Sequence, residues 1–151
     1  MRNGFKLIFA FTLCLSLASC KDAATKLAEL GVEARENGEE WTVEEWKEVF
    51  RETFEIMIPY YREKEIYINK VKEAKTDEEK EKIMEEWKNL ENTKYEKLNA
   101  ATWIMDDAIV YSKNGKTVFR DEKFREEVFK ELGIKDEHFP GEPEPAPPID
   151  D

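Results

Sequence analysis

Two adjacent carboxylates, Asp106 and Asp107, sit in "AATWIMDDAIVY", a stretch that is apolar nearly all round a helix. Acids in such surroundings shed water, which raises a carboxyl pKa toward the range where it can exchange protons. Neighbouring side chains on a helix diverge by about 100°, so the pair does not converge on one point. The plainer account is that each caps a face or pairs with a lysine. Trp41 and Trp46 are the second candidates, since aromatic rings can stack on a sugar or another small ligand. Their spacing across "WTVEEW" is also that of a hydrophobic staple at a helix start, which accounts for both rings without a ligand.

Beyond Cys20 the chain has one serine, Ser112, one histidine, His138, and no other cysteine. Ser112 lacks the glycine-flanked turn that exposes a nucleophilic serine. Asp136-Glu137-His138 could contribute to a metal site, but zinc sites draw on several His or Cys ligands. With six glycines in the whole chain there is no glycine-rich phosphate loop, and no calcium loop of the EF-hand type occurs. The expectation is a protein without catalytic residues, metal or cofactor. A carboxylate-dependent hydrolase built on Asp106 and Asp107 is the weakest alternative.

The elements that would position these residues read as helices. Asp22 to Asn37 is a weak one: Leu27, Leu30 and Ala34 share a face, but Gly31 inside it costs about 1 kcal/mol relative to alanine. Residues 20–40 therefore read as a stalk or a weak helix, stopped by Asn37-Gly38. Residues 41–139 read as a helical domain. Thr42 and Glu45 form a capping box, and Trp46, Phe50, Phe54 and Met57 follow helical spacing. Pro59 predicts a kink or break before the helix resumes through Tyr67 and Val71. Thr76 and Glu79 repeat the capping box. A long seam then runs through Ile83, Trp87, Leu90, Lys94, Leu98, Ala101, Met105 and Ala108. Two long helices joined by a short polar turn make an antiparallel hairpin.

Ala101, Met105 and Ala108 face one way along that seam, with Trp103 and Val110 nearly opposite, so this end is expected to have neighbours on both sides. Asn114-Gly115 is either a helix end or the turn of a small β-hairpin. A further helix starts at Asp121, lines Phe124, Val128 and Leu132 along one side, and stops at Gly133. The proline-rich, acidic residues 140–151 form an extended tail without a packing face. The predicted fold is all-α, an antiparallel bundle of three to four helices.

The N-terminus carries an address. Arg2 and Lys6 precede an apolar run whose helical length from Leu7 to Ala18, about 18 Å, falls short of the ~30 Å core of a bilayer. A basic start, a short apolar middle and small residues at the end make residues 1–19 a secretory signal peptide. Its end, Leu17-Ala18-Ser19-Cys20, resembles the lipobox of bacterial lipoproteins. That resemblance covers the leader and Cys20 only. It implies cleavage between Ser19 and Cys20, a diacylglycerol on the Cys20 thiol, and in most cases an acyl chain such as palmitate on the new amine. Two or three chains hold a protein to a membrane stably, at ~0.8 kcal/mol per buried CH₂. Lys21 stands where inner-membrane lipoproteins often carry Asp, which implies the outer membrane. Lys21 and Asp22, though not Ala23, also fit the surface-export signal of Bacteroidota lipoproteins.

The chain carries a formal charge of −11, and losing Arg2 and Lys6 with the leader makes it −13. That balance excludes nucleic acid and electrostatic attraction to anionic lipid. An aromatic content of 12% separates the sequence from acidic disordered chains. The expected protein is a noncatalytic lipid-anchored envelope component whose acidic helical body binds a protein partner, as accessory subunit, inhibitor or scaffold. The alternative is a surface lipoprotein binding a sugar or small ligand through Trp41 and Trp46.

Overall fold

The computed structural model describes residues 22–141; the leader, Ser19, Cys20 and the tail from 142 onward lie outside the described residues. Six helices make up the described chain: α1 (Ala23–Asn37), α2 (Val43–Glu73), α3 (Asp77–Thr93), α4 (Glu96–Tyr111), α5 (Lys113–Phe119) and α6 (Glu122–Leu132). The fold is all-α, as expected. The expectation of three to four helices undercounts it, and no strand occurs among the described residues, so the hairpin at Asn114-Gly115 is not formed.

α2 is the spine. Thr42 Oγ1 accepts from Glu45 N at 3.3 Å and Glu45 Oε2 accepts from Thr42 N at 2.7 Å, closing the capping box. The helix runs through Pro59 for 31 residues without a break. A proline inside a helix costs about 3 kcal/mol. Here its ring is exposed, so water can take the freed carbonyl, and apolar anchors lie on both sides of it. Phe54 and Met57 are buried before it, Ile68 and Val71 after it.

α3 folds back along the second half of α2, as the hairpin expectation required. Trp87 meets Tyr60 and Tyr67 with ring centroids 5.5 and 5.4 Å apart. Thr76 caps α3 through Glu79 N at 3.2 Å, but the Glu79 carboxylate reaches Lys75 N, one residue further back than a full capping box. The long seam from Ile83 to Ala108 is not one helix. It turns at Lys94-Tyr95, where Tyr95 has φ −105° and ψ 6°. The turn brings Tyr95 inside, its ring 5.1 Å from Tyr60 and its hydroxyl donating to Glu63. Lys94, the polar residue in the seam, donates to the same Glu63 oxygen at 2.6 Å. These two bonds hold the Glu63 carboxyl below its ordinary pKa.

For the described part of that segment, residues 22–40, the stalk alternative does not survive. α1 is part of the body, with Leu27 fully buried and Leu30 and Ala34 nearly so. Its closest partner is α4, and the two run parallel: Gly31 lies against Ile104 and Met105, Arg35 pairs with Asp107, and Gly38 meets Ser112. Gly31 is what permits the approach. A Cβ there would stand 3.0 Å from Ile104 Cγ2 and 3.1 Å from the Met105 backbone nitrogen. The residue that weakens α1 as an isolated helix is thus the one that lets it dock.

α5 and α6 return along α2. Phe119, Phe124 and Phe129 stack against Phe50 and Phe54 at 4.6 to 5.2 Å. Asp121 caps α6 and Gly133 ends it in the left-handed conformation, φ 66°. Residues 134–139 then continue along the spine, pinned by Lys72–Glu137 at 2.5 Å and Lys135–Glu65, until the buried Phe139 ring reaches Trp87.

Candidate functional site

The two tryptophans proposed to stack on a ligand are inside. Trp46 is fully buried, and its ring lies 5.3 Å from Trp41 and 6.1 Å from Phe119, both in edge-to-face contact. The staple geometry is present, and the rings are spent on packing. Trp46 Nε1 donates to Gly38 O at 2.9 Å, and Ser112 Oγ donates to the same carbonyl at 3.0 Å. Ser112 Oγ also accepts from Gly115 N at 3.0 Å, so it caps α5. The helix break therefore falls at Ser112, and Gly115 lies inside α5, where a Cβ would come within 3.0 Å of the Trp46 ring. Ser112 is a buried structural hydroxyl. His138 is exposed and sits near the opposite end of the spine, beside Phe139.

The acidic candidates separate. Asp107 pairs with Arg35 at 3.4 Å across the α1–α4 groove. Asp106 lies about 100° round the helix from Asp107, and no ion pair or hydrogen bond holds its carboxylate among the described residues. The residue is exposed overall, and partial desolvation of its carboxyl is the cause that pushes its pKa up. Asp136 and Glu137 are taken by Arg125 at 3.0 Å and Lys72. No group of three or more His, Cys, Asp or Glu side chains among the described residues could hold a metal ion.

A crevice between α1 and α2, about 40 Å³, is lined by Lys26, Glu29, Glu33, Trp41 and Glu52. It has room for a water or two, against the roughly 300–1,000 Å³ of a ligand pocket. Burial, and then the charges of Glu33 and Glu55, push the Glu52 carboxyl above its ordinary 4.5. A carboxyl raised on folding binds its proton more tightly in the folded state, so its ionisation opposes folding above the raised value. That penalty fades as pH falls through the raised value and is gone below 4.5, where the unfolded chain is protonated too. Glu52→Gln should therefore raise the urea midpoint at pH 7, with the difference from wild type closing as pH approaches 4. An equal difference at both pH values would remove ionisation as the cause.

What remains is the outer face of α4. Leu98, Ala101, Met105 and Ala108 fill the inner face, as the seam predicted. The expected second neighbour on the far side is missing: Trp103 is 75% exposed, Val110 61% and Tyr111 67%. The reason is that α1 occupies the flank of α4 at Ile104 and Met105, and no described element covers the opposite side. Trp103, Asp106 and Val110, spaced by three and four residues, line up within about 60° as one stripe. Three of the four tryptophans are buried and the fourth is the most exposed large apolar side chain of the described fold. The sequence carried a signal for this. A carboxylate centred between two apolar groups of one stripe marks a face turned to water rather than to a core.

No helix among the described residues is long and apolar enough to cross a membrane. No family model, curated protein or solved structure matches the chain.

Proposed function

We propose that this chain is a noncatalytic, lipid-anchored protein of the bacterial cell envelope, held at the outer membrane through Cys20, whose helical body binds a protein partner. The observation that carries the binding half is the outer face of α4. A body that buries nearly all its aromatic surface leaves Trp103 and Tyr111 in water beside Val110. Tryptophan and tyrosine are the residue types that anchor protein interfaces. Sugar binding through Trp41 and Trp46 loses its support, because both rings are packed inward. A two-carboxylate hydrolase loses its support as well, because Asp106 and Asp107 face different ways.

The anchoring half rests on the leader and the lipobox. Its test is Cys20→Ala in the native host. The unaltered protein should partition into the detergent phase and yield an N-terminal peptide that begins at an acylated cysteine. The variant should retain the leader, lose the acyl mass and leave the lipid-anchored fraction. Wild-type protein with a free thiol at residue 20 overturns the anchor.

A further inference from the structure

The stripe on α4 has a composition that selects among possible occupants. Trp103 and Val110 offer apolar surface, and Asp106 lies between them along the helix, exposed and without a cation among the described residues. A lipid surface fits poorly, since pressing the stripe into a bilayer would bury that carboxylate unpaired. A second copy of this chain also fits poorly. Two such acidic bodies, −11 each for the full chain, repel, and a twofold contact centred on the stripe would set one Asp106 against the other. A positively charged segment satisfies all three residues. A guanidinium can bond to the Asp106 carboxylate while it lies over the Trp103 ring, and apolar neighbours can cover Trp103 and Val110.

We infer that the Trp103–Asp106–Val110 stripe docks a cationic amphipathic segment of a partner protein, with an arginine or lysine of that segment placed on Asp106. The inference rests on the protein-binding reading above and adds the chemistry of the partner. The acidic body strengthens it, because attraction over the whole surface raises the rate at which a basic partner arrives.

The test is photo-crosslinking in native cells with the full chain carrying Val110→p-benzoylphenylalanine, a position exposed enough to accept the ring. Circular dichroism on the purified variant checks the fold. The expected result is a protein adduct whose crosslinked peptide carries Lys or Arg within one helical turn of the joined residue. Adding Asp106→Asn should lower the yield about fivefold, and Trp103→Ala about thirtyfold. Glu81→Gln, which removes the same charge from an exposed site on α3, should leave the yield unchanged. A protein adduct indifferent to Asp106→Asn, or equally sensitive to Glu81→Gln, overturns the cationic docking and leaves the protein-binding reading standing. An adduct to a second copy of this chain also overturns the docking. Adducts to lipid alone, or no adduct at all, overturn both.

Discussion

Trp46→Ala should destabilise the fold by about 3–5 kcal/mol, the loss expected when a fully buried tryptophan is truncated. Natural domains hold only about 5–15 kcal/mol in total, so the variant should melt far below wild type or fail to fold. The effect is large because one side chain serves three connections. Its ring is the wall against which Trp41 and Phe119 pack. Its indole N–H shares the Gly38 carbonyl with Ser112, tying the α1–α2 link to the α4–α5 link. Gly38 and Gly115 are both fitted to it, since a Cβ at either would stand within 3.0 Å of the ring. Trp46→Phe should recover part of the loss by refilling the space, though it cannot restore the hydrogen bond. Trp103→Ala, by contrast, should change stability by no more than about 0.5 kcal/mol, since that ring is exposed. Urea denaturation of the three variants checks the ranking, and a Trp103→Ala cost equal to that of Trp46→Ala would contradict the exposed face.

Leu27→Ala should cost about 2–5 kcal/mol, although Leu27 lies only seven positions after the proposed anchor. In a stalk this change would cost almost nothing. The structure puts Leu27 fully buried on α1, one turn before the Gly31 that lies against α4, where deletion of its side chain leaves a cavity that Gly31 and Ala34 cannot fill. The same variant should expose the α4 seam around Met105 to solvent exchange. Thermal melting together with amide exchange at Met105 and Ala108 measures both effects. Wild-type melting with Leu27→Ala would detach α1 from the body.

Much of the local structure was legible in particular residues. Thr42 and Glu45 marked the start of α2, Thr76 the start of α3, and Asp121 and Gly133 the two ends of α6. Each of these signals acts within a single turn, through a side chain bonding to backbone three residues away or a glycine taking a positive φ. The inner face of α4 was legible for the same kind of reason, because Ala101, Met105 and Ala108 repeat at helical spacing. Pro59 misled in the other direction. Its local cost was read correctly, but the buried anchors on either side of it outweigh that cost.

The candidate site was less legible. A helical pattern tells which residues share a face; it does not tell how many faces are covered. Trp103 and Val110 look the same in sequence whether a neighbour packs on them or not; Asp106 between them is the one local hint of an open face, and the placement of α1 on the flank of α4, with no described element opposite, decides it. Tyr95 likewise reads as part of a continuous helix until its contact with Tyr60 and Glu63 rewards a turn.

Composition, caps and periodicity by themselves determined an acidic chain built of helices over its described residues, because those properties are set by residues close together along the backbone. Which helices touch, that Trp41 and Trp46 turn inward, and that Asp106 is left between two exposed apolar groups were decided only in three dimensions. Those outcomes depend on contacts between segments far apart in sequence, where a glycine such as Gly31 changes from a weakness of one helix into the seat of another.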